Sequence, residues 1–280
     1  MSADGFRHMY EVAAARNRSL LCVGLDPDPA QMPPGVDSVA FLGEIIEATS
    51  DLVCCYKPNA ACFEAQGAEG WAALSAVIDA VPDGIPVLLD AKRGDVAHTA
   101  AFYARAVFEQ LGADAVTVNP YLGADALEPF FAYEDRHTFV LCRTSNPSAR
   151  DVQDLVVGDD DGKGGRPLYE HIALLAKGWN RRGNVGLVVG ATYPEDIKRI
   201  RELCPELLFL VPGVGPQDGE LEAAVRGGID ARGGGIIVNV SRGVLYAGAG
   251  GEPGGYGQAA REAAASLRDA INAARAEARG

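Results

Sequence analysis

The sequence is poor in the residues that build metal centres, disulfide scaffolds and nucleic-acid surfaces. Its four histidines, His8, His98, His137 and His171, lie in different segments without ligand spacing, so no metal site is expected. Its two tryptophans, Trp71 and Trp179, read as helix-packing residues rather than base-stacking platforms. Basic residues are outnumbered, 25 Lys and Arg against 38 Asp and Glu, for a formal net charge of −13. That leaves no broad positive face for a phosphate backbone, so nucleic acid is not an expected partner, and an anionic small molecule would need a local cluster of Lys and Arg. No stretch reaches the ~18–20 apolar residues of a membrane span, and no apolar leader segment follows the N-terminal charges. Disulfide and zinc patterns are missing too. The six cysteines, Cys22, Cys54, Cys55, Cys62, Cys142 and Cys204, sit mostly in apolar runs such as LLCVGL rather than in CxxC pairs. They read as reduced core thiols of a soluble, cytoplasmic protein.

What the sequence does contain is a series of short apolar, β-branched runs with helical patterns between them. These are LLCVGL (20–25), LVCCYK (52–57), PVLLD (86–90), AVTVN (115–119), TFVLC (138–142), VGLVV (185–189), LLFLV (207–211) and GIIVNV (235–240). Near-continuous hydrophobicity suits parallel strands covered on both faces, whereas a sheet with one wet face would alternate. Eight such strands in 280 residues, 48% of them hydrophobic, predict an α/β protein: one (β/α)8 TIM barrel spanning residues 1–280.

Several runs end in a polar residue: Asp26, Lys57, Asp90, Asn119, Arg143 and Asn239. In a barrel the carboxyl ends of all strands share one face, so these side chains are expected to converge on a single mouth. Taken singly, each is equally well a helix cap or turn residue, as for Asp26 before Pro27 and Asn119 before Pro120. The polar, Gly-rich segment 151–166 reads as a mobile loop over the mouth or a structureless insertion. An Ala- and Arg-rich helix over about 257–278 is expected to close the chain.

The densest chemistry lies in LLDAKRGDVAHT (88–99), where an apolar strand ends in Asp90, Lys92 and Asp95. Side chains two apart on a strand point the same way, which predicts that Asp90 and Lys92 face the mouth together. A buried lysine among carboxylates stays protonated, and the plain structural reading is an ion pair closing the barrel end.

Asp90-x-Lys92-x-x-Asp95, with Val96 and Thr99 behind it, resembles the signature of the orotidine 5'-phosphate decarboxylase family, in its bacterial, mycobacterial-type branch. The likeness continues through GLDP (24–27), YKPN (56–59), VNPY (118–121), CRTSNP (142–147), VGAT (189–192), PGVGPQ (212–217) and VSRG (240–243), in strand order over nearly the whole chain. The resemblance implies decarboxylation of orotidine monophosphate to UMP without metal or organic cofactor. It implies that Lys57, Asp90, Lys92 and Asp95 form an alternating charge network at the reacting carbon, and that Asp26 and Lys57 hold ribose hydroxyls. Ser145 would bind the pyrimidine, and Gln217 and Arg242 the phosphate. It further implies a homodimer in which Asp95 and Thr99 reach the partner's site. Arg93 has no role assigned by the resemblance: a substrate contact and a strut for the turn are both open.

Three alternatives compete. A metal-dependent phosphosugar-acid decarboxylase of the same barrel group shares DxKxxD but needs an acidic Mg2+ ligand set, whereas Ser145 and Gln217 suit a pyrimidine amide. A noncatalytic phosphate-binding barrel has no use for an Asp, Lys, Asp array. A Schiff-base aldolase needs a readily deprotonated lysine, which flanking carboxylates oppose.

Overall fold

The computed structural model describes residues 5–158, 164–213, 218–248 and 255–278. All eight predicted runs are strands of one parallel sheet: β1 (Leu21–Leu25), β2 (Cys55–Pro58), β3 (Leu88–Arg93), β4 (Ala115–Val118), β5 (His137–Arg143), then, beyond a hairpin of β6 (Val156–Gly158) and β7 (Gly165–Pro167), β8 (Val185–Val189), β9 (Phe209–Val211) and β10 (Ile236–Val240). Their order in the sheet is β2-β1-β10-β9-β8-β5-β4-β3. The two ends meet through parallel bridges, Tyr56 to Val87 and Asn59 to Asp90, which close the barrel.

The strands form because they are buried on both faces. Every residue of β1, β2, β4, β8, β9 and β10 is buried, so β-branched and aromatic side chains fill the interior and the layer under the helices alike. The helices follow the strands and bury one stripe each. Ser38–Thr49 begins where the Asp37 carboxylate accepts from the backbone N–H groups of Val39 and Ala40, and it buries Phe41, Leu42, Ile45 and Ile46. The closing helix runs over Tyr256–Glu277, as the composition predicts. No helix among the described residues is long and apolar enough to cross a membrane. All six cysteines are free thiols, and all but the half-buried Cys62 are buried.

Two expectations about segments need correcting. The stretch 151–166 is not structureless in its described part: the one-turn helix Arg150–Gln153 leads into the antiparallel β6–β7 hairpin, while residues 159–163 lie outside the described residues. Trp71, 38% exposed on the helix Gly67–Asp79, is only partly packed, whereas Trp179 packs with its ring 6.1 Å from Phe131.

Candidate active site

The mouth is assembled from strand ends far apart in sequence. β1 and β2 pair so that Gly24 lies beside Lys57, and β10 pairs with β1 on the other side. A Cβ on Gly24 would come within 1.9 Å of the Ser241 Oγ. With no side chain there, Ser241 reaches across and donates to Asp26 Oδ2 at 2.6 Å. Asp26 Oδ1 is buried without a hydrogen-bond partner, its nearest cation being Lys57 Nζ at 3.9 Å. Tyr246 pins the same segment from the side, its hydroxyl accepting from the Asp28 N–H and donating to the Asp26 carbonyl.

Asp90 is the hub. Its Oδ1 accepts from Lys92 Nζ at 2.7 Å and from Thr117 Oγ1 at 2.8 Å, and its Oδ2 from Lys57 Nζ at 3.2 Å. Burial works against a charged carboxylate here, but the two ammonium groups outweigh it and lower the Asp90 pKa to about 2. Lys57 shows the same balance from the other side. Its side chain is only 3% exposed, which by itself disfavours the ammonium, yet Asp26 and Asp90 raise its pKa above the ordinary lysine value.

Lys92 departs from the expectation of a buried, regularly alternating strand lysine. Its side chain is 49% exposed, and its backbone is left-handed, at φ 47°. The cause lies in the pairing of β3 with β4. Leu89 lies opposite Val116 and Arg93 opposite Val118, so four steps along β3 match two along β4. The Lys92 N–H thereby meets the Thr117 hydroxyl, to which it donates at 2.9 Å. Lys92 faces the mouth through this bulge, not through strand alternation.

The other expected residues are placed unevenly. Asp95 stands at the turn after β3, where its Oδ1 accepts from the Val96 N–H, and it makes no ion pair among the described residues. Thr99 lies half-buried in the first turn of the helix Ala97–Arg105, outside the charge network. Ser145 packs into a crevice left by two glycines: a Cβ on Gly190 would come within 2.8 Å of the Ser145 nitrogen, and one on Gly213 within 3.0 Å of its hydroxyl. Arg242 opens the short helix Arg242–Leu245 and is exposed. Gln217 lies outside the described residues. A cavity of about 830 Å3 runs from Asp26 and Asn59 past Gly213 to Ser241 and Arg242.

Not every polar strand end serves the mouth. The Asn119 side chain caps the turn that follows it, accepting from the Tyr121 N–H, whereas Asn239 does line the mouth cavity, its Oδ1 3.6 Å from the Cys22 thiol. Arg143 is buried and spoken for: its guanidinium bonds Asp196 at 2.8 Å and Asp154 at 2.6 Å, and stacks over Tyr193 at 4.3 Å, tying the hairpin's approach to β5. Arg93 is a strut, ion-paired to Glu64 and lying 5.3 Å over the Tyr103 ring. The site residues that sequence reasoning missed are Thr117 and Tyr246, together with the link from Ser241 to Asp26. Thr117 offered one signal, a lone hydroxyl at an inward position of an otherwise apolar strand.

Known proteins resemble this chain over the same extent. The family model for "Orotidine 5'-phosphate decarboxylase / HUMPS family" matches residues 19–255. The orotidine 5'-phosphate decarboxylase of Roseiflexus castenholzii is 55% identical over 278 residues, covering 96% of this chain and 98% of that protein. That of Thermomicrobium roseum is 51% identical over 281 residues, covering 98% of both. Among solved structures, the Leishmania donovani OMP decarboxylase superposes with a TM-score of 0.85 at 48% identity, over 97% of this chain and 98% of that one. With relatives at this identity along nearly its whole length, and the same barrel carrying the Asp90-x-Lys92-x-x-Asp95 strand end, the chain belongs to the orotidine 5'-phosphate decarboxylase / HUMPS family.

Proposed function

We propose that this protein decarboxylates orotidine 5'-phosphate to UMP and CO2, a step in pyrimidine nucleotide formation, with Lys92 as the group that meets the developing charge. The observation that carries the reading is the Lys57–Asp90–Lys92 array, whose carboxylate stays ionised and anchors both ammonium groups. Loss of CO2 from C6 of the pyrimidine leaves an electron pair in the ring plane, with no adjacent carbonyl to delocalise it fully. A fixed ammonium at that carbon stabilises the charge as it forms and then donates the proton. Lys92 suits this role: Asp90 fixes its Nζ while half of the side chain remains open to the mouth. Lys57 is too deeply buried for it, and with Asp26 it faces the ribose. The unpartnered Asp26 Oδ1 is an acceptor that a sugar hydroxyl would satisfy.

The phosphate is remote from C6, and Arg242, with Gln217, would hold it at the far end of the cavity, so that its binding energy orients the reacting end. Ser145 would bond the pyrimidine. Asp95 and Thr99 would act in the site of a second copy, as in a homodimer with shared sites, where the Asp95 carboxylate crowds the substrate carboxylate and is relieved as CO2 leaves. In support, apolar side chains stand exposed beside Asp95, on the helix that follows it and on the turn after β4, with Val96, Phe102 and Tyr121 at 59%, 56% and 87%. Free thiols throughout suit a reducing, cytoplasmic setting.

The test follows the near-ultraviolet absorbance of orotidine monophosphate with purified protein in EDTA. Turnover should persist, and Lys92→Ala should lose nearly all of kcat while still binding UMP; Arg242→Ala should chiefly lower kcat/KM. Activity abolished by EDTA and restored by Mg2+ would assign the protein instead to metal-dependent phosphosugar-acid chemistry.

A further inference from the structure

At the end of the barrel opposite the mouth, a second cavity of about 670 Å3 lies between the helices Phe6–Arg16 and Tyr256–Glu277, beside the segments that lead into β1 and β10. In a chain of net charge −13 its wall is basic, with five arginines, Arg7, Arg18, Arg232, Arg268 and Arg275, against three carboxylates. Each carboxylate is already committed. Glu11 pairs with Arg7 at 3.0 Å and Asp269 with Arg268 at 2.8 Å. Asp230 accepts from the backbone N–H groups of Arg232 and Gly234, both at 2.9 Å, with the Arg232 guanidinium 3.6 Å away.

Two guanidinium groups are left over. Arg18 and Arg275 have no side-chain hydrogen bond or ion pair among the described residues, and Arg275 is half-buried, where an uncompensated charge is unfavourable. Their placement is fixed by the fold. Arg18 ends the turn after the first helix in a left-handed backbone, φ 46°, and its carbonyl accepts from Asn272 at 2.8 Å. Arg268, Asn272 and Arg275 follow one another at four- and three-residue spacing, which puts them on one face of the closing helix.

We propose that this cavity binds a small anion carrying two or more phosphate groups, at a site separate from the one at the barrel mouth. Guanidinium forks match phosphate oxygens, and the volume falls in the range of small-molecule sites, larger than a single phosphate needs. Several convergent cations call for a ligand with several charges. A free oligophosphate and the phosphate chain of a nucleotide share this chemistry.

The experiment is calorimetric titration of the full-length protein, with UMP present, by inorganic tripolyphosphate and in parallel by a nucleoside triphosphate. One saturable site per chain is expected, with Kd below about 1 mM at low salt. An Arg18→Gln/Arg275→Gln double variant, which keeps much of each side-chain stem, should weaken it by about tenfold or more, while Arg242→Ala leaves it unchanged. Equal affinity in the two arms means that the phosphate chain alone is recognised. Tighter nucleoside triphosphate binding adds a contact to the nucleoside. Because Arg18 and Arg275 hold no side-chain partner among the described residues, the double variant should fold with an unchanged circular dichroism spectrum and Tm. No saturable binding in either arm, or binding that survives the double variant and disappears in Arg242→Ala, overturns the proposal.

Discussion

Replacing Thr117 by valine tests whether the lysine at the mouth is held by its neighbouring strand. Valine keeps the shape of threonine and loses only the hydroxyl, which here does two jobs: it accepts from the Lys92 N–H at 2.9 Å and donates to Asp90 Oδ1 at 2.8 Å. A hydrogen bond to a charged acceptor contributes about 1.5–3 kcal/mol, and one between neutral groups about 0.5–1.5 kcal/mol. Asp90 keeps both ammonium partners in the variant and Lys92 is half-exposed, so the lower ends apply, for a total of about 2 kcal/mol. The left-handed backbone of Lys92 costs about 1–2 kcal/mol, and without its hydrogen bond to β4 it is free to relax and draw Nζ away from Asp90. Urea unfolding should therefore show a loss of about 1 kcal/mol, the lost hydrogen bonds less the strain relieved. Turnover should fall separately, by about tenfold, because the ammonium is displaced, read from orotidine monophosphate absorbance. Thr117→Ser restores the hydroxyl and should recover most of kcat while still showing the cost of a missing methyl. If valine left kcat within about twofold of wild type, or serine were as damaging as valine, Thr117 would not be holding Lys92.

The Asp90 carboxyl, with its pKa lowered from 3.8 to about 2 in the fold, should contribute about 2 kcal/mol that is present above pH 4 and lost as pH falls toward 2. Lys57, raised above its ordinary 10.5, contributes below that pH and loses its contribution only in strong alkali. Urea unfolding against pH should therefore show an acid limb that flattens in Asp90→Asn, and an acid limb of unchanged slope would remove Asp90 from the cause. For the proposed shared sites, Lys92→Ala and Asp95→Asn homodimers should each be nearly inactive, while random hybrids, half of all dimers with one intact site of two, should restore about a quarter of wild-type activity. Tag-purified hybrids no more active than the parents would place Asp95 within its own chain's site.

The barrel was legible because its strands are buried on both faces, which turns each into an unbroken apolar run with no competing helical pattern. The ends of those runs were legible as a group and ambiguous one by one. Asp26, Lys57 and Asp90 do meet and Asn239 lines the same mouth, but Asn119 caps a turn and Arg143 is locked between two carboxylates. A polar residue after a strand looks the same in both cases, because what separates them is the partner supplied by another strand. The 151–166 segment misled for a related reason. Its Gly and Asp content masks two three-residue strands, too short to leave a period, that pair only with each other.

Lys92 is where the local rule gave a serviceable answer from the wrong premise. Alternation predicts that residues 90 and 92 share a face, yet the pairing with β4 slips between Leu89 and Arg93, and the lysine returns to Asp90 through a bulge and a left-handed backbone. Neither feature has a sequence signature, since Lys92 is no glycine and the register shift exists only against β4. Backbone strain of this kind persists only when the surroundings over-determine it, and the surroundings here are the Thr117 hydroxyl and the Asp90 carboxylate, from two different strands. The position of the ammonium is thus a property of the β3–β4 pairing rather than of the DxKxxD segment alone. It follows that grafting those six residues onto another barrel, without a hydroxyl at the position of Thr117, would transfer the charges and not their geometry.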